Sequence, residues 1–274
     1  MTAKLRSDAV KSADGTTIGF TTLGDGDGVI VVGGSMTTGA DYTHLGEALA
    51  SSFTVHLVDR RGRGRSGPQG AGYSIEKECE DLLAVMDATG ARNVFGHSFG
   101  GLVALETGLR SSAIERIAAW DPGVSVNGSI PSGWVQRCSE LLAGGDNRAA
   151  FALFVKSLGP KPIRMLPLWY LKIVLRLAIR EPQWTHMAPL LEPALAEHAE
   201  SVRLDGAADR YASICIPVLL LGGAKSPSSA TGGLVPLHDT ISGSTLRVID
   251  GLDHFAPDEK APERVAELLR GFFA

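Results

Sequence analysis

Short apolar runs closed by glycine or aspartate recur through the first half of the chain, with amphipathic stretches between them. Residues 28–32 end in Gly33-Gly34-Ser35, and residues 53–58 end in Asp59 and an arginine–glycine turn; residues 93–96 and 114–120 follow the same pattern. Short continuous runs bounded by such turns mark strands buried on both faces of a sheet. Between them, residues 42–52 and 74–89 repeat apolar side chains at helical spacing, the second with Ser74 as N-cap and Gly90 as C-terminal stop. Nearer the start, residues 9–12 and 16–22 flank Asp14-Gly15, a hairpin signal. The alternation returns with strands at 217–221 and 245–249 and a closing helix at 262–273. This order predicts an α/β fold with a mainly parallel sheet.

Residues 129–213 break the alternation. Helical spacing dominates over 134–142, 147–158, 167–179 and 187–200, and three of the four tryptophans (Trp134, Trp169, Trp184) lie here. The expected organisation is a core made of residues 1–128 and 214–274, with 129–213 inserted as a helical cap. Lys172, Arg176 and Arg180 recur every four residues and form a basic stripe on one helix. It reads as a charged edge facing water, with a homodimer face or an anionic-substrate funnel as the sharper alternative.

The chain has 274 residues, 44% hydrophobic and 20% charged, enough for one large domain with an insertion, and this composition excludes global disorder. Lys and Arg total 26 against 30 Asp and Glu, so nothing electrostatic points to a nucleic-acid partner. Cys79, Cys138 and Cys215 lie far apart without metal-ligand spacing and read as reduced thiols of a cytoplasmic protein. Residues 1–11 carry no apolar core of a signal peptide, and no apolar run reaches the length of a membrane span.

The strongest chemical signal is Gly96-His97-Ser98-Phe99-Gly100-Gly101, between the strand at 93–96 and a helix opening at Leu102. Gly-x-Ser-x-Gly between a strand and a helix is a nucleophile elbow, a reversal so tight that glycine must flank the serine. The Ser98 hydroxyl would stand at a helix N-terminus, where negative charge is favoured. It needs a base, and seven histidines are available. His97 lies inside the elbow and is expected to point away from the active face. His44, His56, His186, His198 and His238 read as surface or helix-packing residues. His254, in Asp250-Gly251-Leu252-Asp253-His254-Phe255, follows the last strand and so stands at the carboxyl ends of the strands.

With these pieces in order, the chain resembles the α/β-hydrolase superfamily over nearly its whole length. The resemblance implies an eight-stranded, mostly parallel sheet flanked by helices, a cap inserted after the sixth strand, and no metal or other cofactor. It implies an oxyanion hole made of the backbone N–H groups of Ser35 and Phe99. The departure is in the acid, which most members carry after the seventh strand. Here that loop reads Gly222-Gly223-Ala224-Lys225-Ser226, and no carboxylate occurs between Asp209 and Asp239. Some members carry the acid after the sixth strand instead, as zearalenone lactonases do, and Asp121 in Trp120-Asp121-Pro122 stands there. Asp121 would hold the Nδ1–H of His254; the alternatives are Asp253, Asp250, or a structural role for Asp121 capping a turn.

A serine at the elbow implies an acyl-enzyme, unlike the aspartate of haloalkane dehalogenases and epoxide hydrolases in this superfamily. Met36, Trp134, Phe154, Trp169, Trp184 and Met187 are the candidate lining of an apolar substrate pocket. The reading is a cofactor-independent serine hydrolase for a small hydrophobic ester or lactone. Carbon–carbon bond hydrolysis, a lyase or cyclase on the same scaffold, and a non-catalytic binding module for an apolar ligand are the alternatives.

Overall fold

The strands expected from the apolar runs line up as one eight-stranded sheet in the order β1-β2-β4-β3-β5-β6-β7-β8. They are β1 (Arg6–Lys11), β2 (Thr17–Leu23), β3 (Asp27–Val32), β4 (Phe53–Val58), β5 (Asn93–His97), β6 (Arg116–Trp120), β7 (Val218–Gly223) and β8 (Ser244–Ile249). The hairpin β1–β2 and the pair β2–β4 are antiparallel, and every other pair is parallel. The structure, a computed structural model, describes residues 5–206 and 208–274. The N-terminal stretch read as lacking a signal peptide falls partly on residues 1–4, outside the described residues.

Two apolar layers cover the sheet, as the burial of its central strands on both faces requires. Helices α1 (Thr43–Leu49) and α12 (Pro262–Phe273) bury Leu45, Leu49, Val265 and Leu269 on one face; α2 (Ile75–Thr89) and α3 (Phe99–Arg110) bury Leu82, Val85, Leu102 and Leu105 on the other. Between β6 and β7 run α4 (Val135–Ala143), α5 (Asn147–Leu158), α6 (Lys161–Met165), α7 (Leu168–Ala178), α8 (Gln183–Met187) and α9 (Leu191–Arg203). After β7 come the short α10 (Ser228–Thr231) and α11 (Leu234–Thr240).

Three local expectations change. The single helix expected over 187–200 is broken at Pro189, and α9 starts only at Leu191, since proline cannot donate within a helix interior. Ser74 has the extended backbone of an N-cap but its side chain makes no capping bond; the free N–H of Ile75 is taken by Glu200 Oε2 of α9 at 2.8 Å. His56, read as a surface or helix-packing histidine, is buried on β4 with Nδ1 2.9 Å from the Thr22 hydroxyl. Gly90, by contrast, closes α2 at φ +74 as a left-handed stop.

β3 sits mid-sheet, with β4 on one side and β5 on the other. The chain reverses its direction of winding there, which opens a crevice at the carboxyl ends of the strands. The loops after β3, β5, β6, β7 and β8 all end in that crevice.

Candidate active site

Ser98 follows β5 with φ +54 and ψ −121, a strained backbone that few non-glycine residues adopt. The strain is forced by close approach. A Cβ on Gly96 would lie 2.4 Å from the Gly100 carbonyl oxygen, and one on Gly100 would lie 2.1 Å from that of Val32. The turn is held by the Ser98 N–H donating to Trp120 O at 2.9 Å and by the Gly123 N–H donating to Ser98 O at 2.8 Å. Ser98 is thereby fixed between β5 and β6, half-buried and lining a cavity of about 490 Å³.

His254 and Asp121 line the same cavity. His254 Nδ1 lies 3.0 Å from Asp121 Oδ2, and the Asp121 side chain is fully buried while the imidazole is partly open. Asp121 also has a left-handed backbone, φ +42, and its N–H donates to Leu221 O at 2.8 Å. The loop after β7 contributes too: Ser226 Oγ donates to the same Oδ2 at 2.6 Å. The serine in the loop after β7 thus donates to the carboxylate that comes from the end of β6. The second oxygen, Oδ1, has no partner among the described residues and sits beside Gly222, where a Cβ would come within 3.1 Å of it. Asp250 is exposed, and Asp253 accepts from the Phe255 N–H at 3.0 Å and pairs with Lys260, so neither carboxylate bonds the imidazole.

His97 does not point away, as its place in the elbow suggested. Its ring is buried, with Nε2 2.9 Å from the His254 carbonyl and Nδ1 2.6 Å from the Tyr42 hydroxyl. A carbonyl only accepts, so Nε2 carries the proton and Nδ1 accepts from Tyr42. Tyr42 in turn accepts the Gly34 N–H at 3.0 Å. Burial holds the His97 imidazole well below its ordinary pKa, so it stays neutral. This relay ties the loop after β3 to the loop of His254 without placing a charge between them.

The loop after β3 is fixed from its other side by two buried guanidiniums. Arg60 donates to Gly33 O and Gly34 O, each at 2.9 Å, and Arg63 to Gly34 O at 2.9 Å and Ser35 O at 2.8 Å. In a trans peptide the N–H opposes the preceding C=O. Holding Gly34 O toward the arginines therefore turns the Ser35 N–H the other way. Phe99 is the first residue of α3, so its N–H has no partner within the helix. The two arginines are neutralised by Glu78 of α2, 2.8 Å from Arg60, and by Glu197 of α9, which pairs with both. The quartet is not among the sequence expectations; its only trace there is an arginine-rich turn with glutamates on later helices.

Of the expected pocket residues, Met36 and Phe154 line the cavity. The other four are placed elsewhere. Trp134 packs in its own cluster with Cys138, Ala150 and Leu195, its Nε1 donating to Pro131 O at 2.8 Å. Trp184 lies under the Arg148 guanidinium, 3.7 Å from its ring centroid, and against Phe151. Trp169 is exposed, and Met187 lies at the end of α8, outside the cavity lining. Leu158, Ile163, Ile130 and Ala194 supply the apolar walls instead.

Asp258 also lines the cavity, on a single π turn (Ala256–Lys260), with Oδ1 buried and unpartnered among the described residues. Burial, more than the neighbouring Glu259 and Asp41 charges, pushes its carboxyl up to about 7, against the opposing pull of a backbone donor and His254. The native carboxyl keeps its proton to higher pH than the unfolded one, so its stabilising contribution is full below about pH 4 and lost as the pH rises through about 7. Asp258→Asn is expected to raise the melting temperature at about pH 8 and to have almost no effect near pH 4. Equal shifts at both values would contradict the assignment.

The sequence pattern of a family described as Alpha/beta hydrolase family matches residues 24–268. Among curated relatives, the putative carbamate hydrolase RutD of Variovorax paradoxus (strain S110) is 33% identical over 104 residues, covering 35% of this chain and 39% of that protein. The match thus spans well under half of the relative. Among solved structures, an alpha/beta hydrolase from Sphaerobacter thermophilus DSM 20745 superposes with a TM-score of 0.82 at 32% identity, covering 97% of this chain and 100% of that one. Est816, described as an N-acyl homoserine lactone degrading enzyme, gives a TM-score of 0.74 at 25% identity, with 97% of this chain and 100% of that one covered.

Proposed function

The chain belongs to the alpha/beta hydrolase family, and from that premise we propose that it is a cofactor-independent serine hydrolase cleaving a hydrophobic carboxylic ester or lactone. His254 Nε2 takes the Ser98 hydroxyl proton as Ser98 Oγ bonds to the acyl carbon, while Asp121 holds Nδ1–H and balances the imidazolium charge. The oxyanion accepts from the Ser35 and Phe99 N–H groups, where one such donor contributes about 3–4 kcal/mol. The carbon–oxygen bond then breaks and the leaving oxygen takes the proton from His254. Water, deprotonated by His254, attacks the acyl-enzyme; the acid is released and Ser98 regains its proton. The observation that carries this reading is the 3.0 Å contact of His254 Nδ1 with Asp121 Oδ2 beside the cavity that Ser98 lines.

The helices between β6 and β7 act in this reading as a cap, residues 129–213 over a core of 1–128 and 214–274. Phe154, Leu158 and Ile163 of that segment would receive the apolar part of the substrate, and the cavity size suits a small molecule of drug-like dimensions. A lactone with an acyl chain is the favoured substrate class, supported by what Est816 is described as degrading. A fluorophosphonate probe tests the nucleophile. It is expected to label the wild-type protein and spare Ser98→Ala; an unlabelled wild type would overturn the reading and favour a non-catalytic binding module.

A further inference from the structure

Between Asp146 and Glu181 the chain has seven basic residues and no acidic one, in a protein of net charge −4. The same stretch exposes apolar side chains to an unusual degree. Six of the ten large hydrophobic residues found exposed among the described residues lie within residues 165–177. Met165 is 76% exposed, Trp169 67%, Leu177 62% and Ile173 51%, with Tyr170 and Val174 beside them. Helix α7 packs through its other side, burying Leu171. Trp169, Ile173 and Leu177, at four-residue steps, form one apolar arc. Arg176 borders this arc and Arg180 lies just past the helix end, while Arg164 and Lys161 are on α6, which precedes α7 by two residues. These four are exposed, and none is in a salt bridge among the described residues. Lys172 of the stripe is instead held at 2.6 Å by Asp146.

We propose that the α6–α7 face docks on an anionic phospholipid bilayer surface. An apolar arc with an exposed tryptophan and tyrosine, edged by cations, is the pattern of a helix lying in the headgroup region. The charge argues against the alternative of a second copy. A two-fold axis through the middle of this face would bring the arginines of both copies together, and the exposed Glu181 beside Arg180 answers only one of the four cations. An anionic leaflet answers the same charges with opposite sign. Ile163, two residues before the exposed Met165, lines the cavity, so the docked face adjoins the cavity wall. The inference does not depend on the chemistry at Ser98.

Co-sedimentation with vesicles tests it. The protein is expected to pellet with equimolar phosphatidylglycerol and phosphatidylcholine at low salt, with a blue shift in tryptophan emission, and to remain in solution with phosphatidylcholine alone. High salt should weaken the binding. The doubly substituted variant Ile173→Asn/Leu177→Asn, altered only at exposed positions, should keep the wild-type melting temperature and bind about tenfold more weakly or worse. No pelleting with the anionic vesicles, or equal binding by the variant, overturns the proposal. So does a stable dimer by light scattering that the same variant dissociates, which would assign the face to a second copy.

Discussion

Asp121→Asn is expected to lower kcat by about four orders of magnitude with KM little changed, the loss typical of a triad acid. Asp121 Oδ2 lies 3.0 Å from His254 Nδ1 and accepts from the Ser226 hydroxyl at 2.6 Å, so in the proposed reaction a single oxygen holds the imidazole's Nδ1–H. An asparagine has two ways to fill the site, and both fail. With its oxygen toward His254 the tautomer survives, but no negative charge balances the imidazolium. With its amide nitrogen there, Nδ1 must accept, Nε2 carries the proton, and no lone pair remains for the Ser98 hydroxyl. Asp253→Asn and Asp250→Asn are expected to stay within about threefold of wild type, since their carboxylates are turned elsewhere. Exchanging the pair, Asp121→Ser with Ser226→Asp, moves the acid to the end of β7 and should recover at least about tenfold of the loss. A steady-state rate for Asp121→Asn within about tenfold of wild type would remove Asp121 from the proposed triad.

The parts of this molecule legible in its sequence are those whose cause is local. A strand buried on both faces writes itself as a short apolar run and a helix packed on a sheet as an apolar stripe, so 53–58 and 262–273 match β4 and α12 residue for residue. The elbow is legible because the steric demand on Gly96 and Gly100 comes from neighbours within a few residues or one strand away. In the sequence, Ser226 marks only the absence of an acid after β7. Its bond to Asp121 joins positions 105 residues apart, and nothing in either local sequence signals the other. The direction of the His97 ring is not legible for the same reason: the elbow sets where the backbone goes, whereas the Tyr42 hydroxyl and the His254 carbonyl decide where the ring goes. The tryptophans show the remaining limit. Helical spacing locates a stripe but not its partner, so Trp134 packs among the helices between β6 and β7, Trp169 faces outward, and Phe154, Leu158 and Ile163 line the cavity.

The other large effect is expected at Glu197, a residue with no chemistry of its own in the proposed reaction. Arg60, Arg63, Glu78 and Glu197 are all buried, two charges of each sign. Glu197→Leu leaves the two guanidiniums facing only Glu78, an uncompensated buried charge that costs about 3–5 kcal/mol. For a chain of this length the melting temperature should fall by roughly 10 °C. Adding Arg63→Met removes the excess charge and should recover most of that stability, since an apolar pair of similar size can replace a buried ion pair without loss. Activity should not return with it. Arg63 holds the carbonyls of Gly34 and Ser35, and without it the peptide that aims the Ser35 N–H is anchored only through Arg60. The doubly substituted variant should therefore unfold near the wild-type temperature while its kcat stays about 10²–10³-fold low, the deficit of a lost oxyanion donor. Recovery of both properties together would show that the quartet serves only to join α9 to the sheet. Recovery of stability alone assigns it a second task, fixing the direction of the donor at the oxyanion.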